Sequence, residues 1–293
     1  MARPTLSGAL LLDKPSGTTS ARALDPVKRL LPRRTKVGHA GTLDPMASGL
    51  LVVLVGRATR LSRYVMDLPK TYLATARFGA TSDTLDADGE IVEIEGATLP
   101  PEAEIRASLP GFTGEILQTP PMVSALKVGG ERLYDLHRRG ISVEREPRRV
   151  RVERFELVSF DPRRDEATFS ITCGSGTYVR SLVSDLAASL GSAAYLTSLR
   201  RLSTGHLHVK DALPPEALDA ESVYKRIIHP RKLLEHLPAR EVDEGEAIAV
   251  CNGRTMRWSE PRGSFRVERG GRLLAVYRGE GGRSVPEVVL CAG

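Results

Sequence analysis

Residues 38–55 of the chain read GHAGTLDPMASGLLVVLV and join a glycine-rich loop to a continuous apolar run. The run from Leu50 to Val55 lacks the polar alternation of a half-exposed strand, so we predict a central strand of a sheet. In the loop, glycine permits tight turns, and Pro45 disfavours a helical conformation for Asp44. These features predict a rigid loop that presents the Asp44 carboxylate beside the core. The alternative is that Asp44-Pro45 only begins a turn.

Four further motifs supply the context for this loop. They are LLDKPSGTTS at 11–20, KTY at 70–72, GTYVR at 176–180 and LRR at 199–201. Together with residues 38–50 they resemble, in the same order, the motifs of the TruB family of tRNA pseudouridine-55 synthases. The similarity runs from about residue 9 to the C-terminus. Five ordered matches are far more specific than any one of them.

The resemblance implies an α+β fold in two domains. Residues 1–232 would form a catalytic domain of the pseudouridine synthase type, built on a mixed, largely antiparallel sheet. Residues 236–293 would form a small PUA-like β-barrel that binds RNA. From Pro238 the sequence itself changes to short apolar runs separated by glycine-rich turns, which is typical of a small barrel. These runs are Ala247–Val250, Ser264–Val267 and Leu273–Tyr277.

The rest of the chain alternates predicted strands and helices. The predicted strands are Ala9–Asp13, Tyr72–Phe78, Met122–Val128, Ala167–Cys173 and Leu199–Val209. The predicted helices are Ala58–Met66, Pro101–Leu109 and 179–190, the last with one apolar face. An earlier helix has two possible starts: Ser20 as its cap residue, or Asp25 as cap with Pro26 at the first helical position.

The activity implied by the resemblance is isomerisation of uridine 55 in the T loop of tRNA to pseudouridine. This reaction breaks the bond from C1′ to N1 and re-forms the link through C5 without redox change, so we expect no cofactor. A carboxylate can stabilise or covalently trap one fragment, and the resemblance gives this essential role to Asp44. Attack on C1′, attack on C6 and proton abstraction from the sugar are all open.

Arg180 matches the family arginine that pairs with the essential aspartate. We expect its guanidinium to lower the pKa of Asp44 and to hold the carboxylate through a planar fork. Without the resemblance, Arg180 would be interpreted as a surface helix residue. Ser175 stands where some family members have a lysine, so a phosphate contact from that position is in doubt.

The target base lies in a folded loop, so the enzyme must extrude it and replace its lost stacking. By resemblance, Tyr72 stacks on the flipped base, and Tyr178 and Leu199 line the same pocket. His39 matches the residue that fills or supports the space left by the base. As isolated residues, the first three would be core packing and His39 an ordinary loop histidine.

Composition is consistent with a soluble RNA-binding protein. The net charge is +6 and the pI is about 9.4, which suits a polyanionic partner without demanding one. Residues 22–36 hold six basic side chains against one acid, and residues 129–154 hold eight arginines against five acids. The second segment is predicted to form a helix and the start of a strand that runs to about Phe160, and it corresponds by resemblance to a mobile thumb that clasps the RNA arm. A solvated charged surface is the alternative for both.

The remaining predictions concern metals, cysteines and partners. Three aspartates within Thr81–Gly89 lack the terminal glutamate of an EF-hand, so we interpret them as a solvated turn and assign no metal. Three cysteines show neither metal-ligand spacing nor a disulfide framework, and together with the lack of a signal peptide or membrane span they indicate the cytoplasm. We expect a monomer that acts on tRNA without a guide RNA. An RNA-guided synthase and a tRNA-folding chaperone are the alternatives.

Overall fold

A computed structural model describes residues 6–124, 127–128, 130–132, 139–141, 143–259 and 262–291. Its strands, in chain order, are β1 (Gly8–Lys14), β2 (Val37–His39), β3 (Ser48–Val55), β4 (Lys70–Phe78), β5 (Ala80–Ser82), β6 (Ile91–Glu93), β7 (Gly114–Gln118), β8 (Lys127–Val128), β9 (Glu131–Arg132), β10 (Arg148–Asp161), β11 (Glu166–Cys173), β12 (Ala194–Thr204), β13 (Leu207–His208), β14 (Ala239–Glu241), β15 (Gly263–Arg269), β16 (Arg272–Gly279) and β17 (Ser284–Val289). The α-helices are Asp25–Leu30, Ser62–Met66, Glu102–Ser108, Val179–Ser189, Ala220–Arg226, Pro230–Leu233 and Glu244–Cys251.

Within these ranges the largest sheet has nine strands in the order β1-β3-β12-β4-β11-β10-β7, with β2 added to β3 and β13 to β12. The pair of β3 with β12 is parallel, and the other pairs of this sheet are antiparallel. The predicted α+β fold with a mixed, largely antiparallel sheet is therefore confirmed.

β3 is the interior strand predicted from its apolar run. Its side chains alternate between two clusters, with Leu50, Val52 and Leu54 in one and Leu51, Val53 and Val55 in the other. All six are at most 1% exposed. Burial on both faces explains why the strand shows no polar alternation.

The helix Val179–Ser189 covers β4, β11 and β12 and buries its apolar face in a third cluster. Leu43 and Met46, which flank Asp44, belong to the same cluster. The loop between β2 and β3 is thus anchored in the core on both sides of its acid, and a displacement of Asp44 requires removal of Leu43 or Met46 from apolar surroundings.

Several predicted elements are confirmed, and others have different limits. The strands predicted at 9–13, 72–78 and 167–173 lie within β1, β4 and β11, and the helix predicted at 101–109 is Glu102–Ser108. The predicted strand from Leu199 starts earlier because β12 pairs with β4 from Ala194 to Thr204. The helix predicted from Ala58 is a 3-10 turn, Gly56–Leu61, followed by the helix Ser62–Met66.

The segment after β7 departs most from prediction. Residues 122–124 are bends, and Lys127–Val128, the other described residues of the predicted strand, pair with β9. A helix is also predicted within 129–154, but residues 129, 133–138 and 142 of that segment lie outside the described residues. The strand expected to follow it is β10, which ends at Asp161.

The two possible starts of the first helix are also resolved. The helix begins at Asp25 with Pro26 in its first turn, close to the second alternative, but the cap residue is Leu24 and not Asp25. Ser20 caps no helix; its hydroxyl instead bonds the backbone of Leu43.

The C-terminal part forms a four-stranded sheet in the order β14-β15-β16-β17, extended by the bridge between Met256 and Ser284. The runs predicted at 264–267 and 273–277 are strands β15 and β16, but Ala247–Val250 lies in the helix Glu244–Cys251. Asp243 and Glu246 form a capping box that starts this helix, and the box overrides the apolar strand pattern. The predicted small PUA-like β-barrel is not confirmed.

The C-terminal sheet packs on the helix Ser62–Met66. Leu273, Val276 and Val288 share a buried cluster with Leu61 and Val65. Glu287 of β17 accepts a hydrogen bond from the hydroxyl of Tyr64, 2.8 Å away, and pairs with Arg63. The predicted boundary between 232 and 236 falls at Leu233 and Leu234, which belong to the same cluster.

Cys251 and Cys291 form a disulfide bond across this part, with their Cα atoms 5.3 Å apart. The prediction of no disulfide is therefore wrong for this pair. The two cysteines are 40 positions apart in the sequence, and only the fold brings them together. Cys173 is a buried free thiol. Among the helices of the described ranges, none combines the length and apolarity needed to cross a bilayer.

Candidate active site

The candidate site is built around the loop that joins β2 to β3. The amide of Ala40 donates to the carbonyl of Val52, and the amide of Ala47 donates to the carbonyl of Asp44. These backbone hydrogen bonds hold both ends of the loop. Gly49 closes it with φ of +100°, and a Cβ there would lie 2.3 Å from the carbonyl oxygen of Arg201. Only glycine satisfies both the positive φ and this close approach to β12.

The motif at 11–20 packs against the Asp44 loop and forms hydrogen bonds with it. Lys14 is fully buried, and its Nζ donates to the carbonyls of Pro15 at 2.9 Å, Thr18 at 2.6 Å and Pro45 at 3.3 Å. Burial lowers the pKa of Lys14 to about 8. Ser16 Oγ donates to the carbonyl of Met46 at 2.8 Å.

Two of these contacts fix the carbonyls of the two residues that follow Asp44. The motif was recognised in the sequence, but no role was predicted for Lys14. The available signal was the presence of a lysine directly after a buried strand, where an unpaired ammonium needs carbonyl partners.

Arg180 lies in the first turn of the helix Val179–Ser189. Gln118 holds this helix start, because its side chain accepts from the amide of Tyr178 at 2.8 Å and donates to the carbonyl of Tyr178 at 3.0 Å. The Arg180 side chain is only 2% exposed, and its Nε lies 2.9 Å from Oδ2 of Asp44. The structure thus brings together two residues 136 positions apart in the sequence.

The guanidinium does not form the predicted fork with Asp44. Its Nη1 donates to the carbonyl of Thr84 at 2.7 Å and lies 3.4 Å from Oδ2 of Asp86. Its Nη2 donates to the carbonyl of Val123 at 2.9 Å. Arg180 therefore meets Asp44 with a single N–H and uses the others to hold two neighbouring loops.

Asp86 corrects a second prediction, because the segment Thr81–Gly89 is not simply a solvated turn. Asp86 is 4% exposed and also accepts a hydrogen bond from Thr84 Oγ1 at 2.6 Å. It adds a second carboxylate to the buried network around Arg180. No sequence motif links this residue to the Asp44 loop, so the pairing arises only from the fold.

Burial raises the pKa of Asp44, the nearby Arg180 guanidinium opposes this rise, and Asp86 adds to it. Arg180 thus lowers the pKa of Asp44 as predicted, but burial outweighs it and the net direction is upward. The carboxylate nevertheless retains access to the site, with 36% of its side chain exposed.

Asp44 and Arg180 line a pocket of about 300 Å³. Three further predicted site residues line the same pocket: Tyr72, Tyr178 and Leu199. Burial raises the pKa of both tyrosines, so their hydroxyls are neutral at physiological pH. Ser175 also lines the pocket wall.

His39 is the one predicted site residue that does not line this pocket. It is half-buried at the end of β2, and its Nδ1 is buried with no hydrogen-bond partner among the described residues. Burial, followed by the charge of Arg201, lowers the pKa of His39. The ring is therefore neutral at pH 7.

Two buried cations of the pocket were missed by sequence reasoning. Arg201 is 1% exposed; its Nε donates to the carbonyl of Leu50 at 2.7 Å and its Nη2 to that of Gly41 at 3.2 Å. It faces Tyr72 across the β4–β12 pair. Lys70 lies beside it, and burial, followed by the charge of Arg201, lowers the pKa of Lys70 to about 8.

The site therefore combines an accessible carboxylate, aromatic walls and an excess of buried positive charge. A planar, polar ring with anionic character fits such a pocket. The described residues contain no group of three or more His, Cys, Asp or Glu side chains that could hold a metal ion. A carboxylate beside a guanidinium can act as a nucleophile or as a general base.

Comparison with known proteins gives concordant matches. Residues 28–179 match the family model described as TruB family pseudouridylate synthase (N terminal domain). The chain is 43% identical over 289 residues to tRNA pseudouridine synthase B of Azoarcus sp. (strain BH72), covering 97% of this chain and 95% of the relative. It is 40% identical over 305 residues to tRNA pseudouridine synthase B of Burkholderia mallei (strain NCTC 10247), covering 100% of both.

Solved structures show the same fold at lower identity. A crystal structure of a Cbf5-Nop10-Gar1 complex matches with a TM-score of 0.73 and 24% identity, covering 97% of this chain and 84% of that one. The structure of an H/ACA RNP bound to a substrate RNA containing 2′-deoxyuridine matches with a TM-score of 0.71 and 22% identity, covering 96% and 84%.

Proposed function

Since the chain belongs to the TruB family of pseudouridylate synthases, we propose that it isomerises uridine in tRNA to pseudouridine, specifically uridine 55 of the T loop. The observation that carries this proposal is the contact of 2.9 Å between Asp44 and Arg180 inside a pocket walled by Tyr72 and Tyr178. Two relatives that cover 97% and 100% of the chain carry the name tRNA pseudouridine synthase B.

The reaction moves one glycosidic bond. The bond from C1′ to N1 breaks, the base rotates, and a bond from C1′ to C5 forms. C5 then loses its proton and N1 gains one, so atoms and electrons balance without a cofactor. Asp44 is the group that handles the sugar or the base, by attack on C1′, by attack on C6 or by removal of a sugar proton. Each route starts from the ionised carboxylate.

Arg180 keeps Asp44 ionised in the pocket. Desolvation favours the protonated acid, and a guanidinium at hydrogen-bond distance offsets much of that penalty. Because Arg180 also binds the carbonyls of Thr84 and Val123, it orients Asp44 from a fixed position. A carboxylate held in one orientation reacts faster than a mobile one.

The pocket requires a flipped base, because a stacked base cannot reach an enclosed carboxylate. Tyr72 would stack on the extruded uracil, with Tyr178 and Leu199 closing the remaining walls. His39 would support the RNA where the base has left. Arg201 donates a hydrogen bond to the carbonyl of Gly41, and this contact positions the Asp44 loop.

The division of the chain follows from this assignment. Residues 1–232 would be the catalytic domain and residues 236–293 a PUA-like RNA-binding domain. We propose that the protein acts as a monomer without a guide RNA. We place it in the cytoplasm because its proposed substrate is tRNA; the Cys251–Cys291 disulfide removes the cysteine-based reason for that compartment. A tRNA-folding activity would accompany catalysis, since extrusion of the base requires the folded loop to open.

The test is incubation of the purified protein with one unmodified tRNA transcript, followed by mapping of pseudouridine at each position. The expected result is a single product at uridine 55 without added RNA. Product at other positions, or product only after addition of a guide RNA, would overturn the proposal and favour an RNA-guided synthase.

A further inference from the structure

A second cavity, of about 600 Å³, lies away from the candidate active site. It is bounded by the loop 32–36, the 3-10 turn Gly56–Leu61 and the helix Ala220–Arg226. Its lining includes five cationic side chains and no acidic one. We call these five residues the basic cleft: Arg33, Arg34, Lys36, Arg57 and Arg60. A concave surface of one charge sign concentrates counter-ions of the opposite sign.

Two of the cleft residues, Arg57 and Arg60, lie on the 3-10 turn Gly56–Leu61, which forms the floor of the cleft. Arg57 Nη1 donates to the carbonyl of Leu290 at 2.7 Å, and Arg60 donates to the carbonyl of Val289. These contacts tie the floor of the cleft to the end of β17. Arg57 and Arg60 thus have protein partners, and they add fixed positive charge beneath the opening.

The other three residues, Arg33, Arg34 and Lys36, are exposed. Within the part of the chain that the structure describes, their side chains form no ion pair. Three neighbouring cations without acids repel one another, so their arrangement favours a bound anion. A solvated surface patch would instead intersperse acids, as the helix Asp25–Leu30 does with its Asp25–Lys28 pair.

The backbone holds the three cations as a group. Arg34 adopts a φ of +72°, which residues with a side chain rarely adopt. The turn is closed by two hydrogen bonds from Thr35 to the carbonyl of Pro32. The carbonyl of Lys36 accepts from the amide of Gly56. The loop is therefore anchored at both ends, although its residues are exposed.

The position of the cleft limits what can occupy it. The strand β3 separates the cleft from the Asp44 loop. It begins at Ser48, next to the Asp44 loop, and ends at Val55, next to the cleft. A strand of that length spans roughly 23 Å at about 3.3 Å per residue. A nucleotide bound at Asp44 therefore cannot reach the cleft, and the occupant must be a different part of the same molecule or a separate ligand.

We propose that the basic cleft binds backbone phosphates of tRNA outside the target loop, and this inference rests on the proposed function. Phosphate contacts by arginine position an RNA without reading its sequence. Tyr224, 46% exposed, lines the same cavity and offers a hydroxyl donor to the phosphate backbone. The cleft thus anchors the substrate and takes no part in the chemistry.

The test compares the double variant Arg33→Gln/Arg34→Gln with a matched control, Arg163→Gln/Arg164→Gln. The control also removes two adjacent exposed arginines, in the turn between β10 and β11. Equilibrium binding of full-length tRNA is measured for both variants and the parent protein over a series of KCl concentrations. Melting curves establish that all proteins are folded, and Lys36→Gln provides a second cleft variant.

The cleft variant should bind tRNA about tenfold more weakly at moderate salt. The slope of log Kd against log salt should fall by roughly 1.4–1.8 for two lost phosphate contacts. KM should rise while kcat at saturating tRNA stays at the parent value, and the control should match the parent. Unchanged affinity and slope, equal losses in the control, or a lower kcat would each overturn the inference. Failure of the parent protein to form pseudouridine would instead refute the proposed function.

Discussion

Replacement of Arg180 by lysine tests whether the guanidinium is a multiple anchor or only a charge. In the structure Arg180 reaches four acceptors: Asp44, Asp86 and the carbonyls of Thr84 and Val123. A lysine ammonium keeps the charge, but its three donors radiate from one atom. It can serve about two of these acceptors. We therefore expect at least two buried hydrogen bonds to be lost.

The magnitude follows from burial. Arg180 is 2% exposed, and hydrogen bonds to charged groups contribute about 1.5–3 kcal/mol each. Two such losses amount to roughly 3–6 kcal/mol, which overlaps the range of about 3–5 kcal/mol found when a buried ion pair loses one partner. Turnover should also fall by about 100-fold, because displacement of a reacting group by about 1 Å costs a factor of this size.

Arg200→Lys is the matched control. Arg200 donates to both carboxylate oxygens of Asp13, at 2.9 and 2.6 Å, but the two side chains are 39% and 29% exposed. Such pairs contribute about 0.2–1 kcal/mol. Urea unfolding gives the free energy of both variants, and single-turnover pseudouridine formation gives their rates. If Arg180→Lys lost no more stability than Arg200→Lys, the account of Arg180 as a multiple anchor would be refuted.

Three further predictions concern pH, stacking and the disulfide. Because burial raises the pKa of Asp44 and the reaction needs its ionised form, the single-turnover rate should fall on acidification at a pH above the ordinary carboxyl range; a flat profile down to pH 4 would contradict this. Tyr72→Phe should retain substantial activity, whereas Tyr72→Leu should lose roughly 5- to 150-fold, given about 1–3 kcal/mol per base–aromatic stack; equal, complete loss would indicate that the hydroxyl transfers a proton. Cys251→Ser should lower the free energy of unfolding by up to about 4 kcal/mol, the chain-entropy value for a loop of 40 residues. In calorimetry the difference in stability between the variant and the parent should disappear when reductant is added. A difference that persists in reductant would show that the loss does not come from the disulfide.

Much of the fold could be predicted because its signals are local. The apolar run of β3 showed that both faces are buried, and Gly49 of the 38–50 loop lies where backbone passes close to backbone. Asp44, Tyr72, Tyr178, Arg180 and Leu199 sit in recognisable motifs, and the structure gathers all five in one pocket. Patterns over a few residues carry this information without knowledge of distant contacts.

The missed features depend on residues that are distant in sequence. Asp86 looked like part of a polar turn, and only the packing of its loop on the helix start brings it to Arg180. Cys251 and Cys291 meet because the helix Glu244–Cys251 lies against the C-terminal strand. One miss was local and avoidable, since the Asp243–Glu246 capping box was present in the sequence.

The most direct test of the central claim is Asp44→Asn, measured as pseudouridine formed at uridine 55 in a single turnover with excess enzyme. The substitution removes the ionised carboxylate but keeps the shape of the side chain and most of its hydrogen bonding. The account predicts no product, with affinity for tRNA within several-fold of the parent. Product formation above a few per cent of the parent rate would show that the carboxylate is dispensable and would contradict the account.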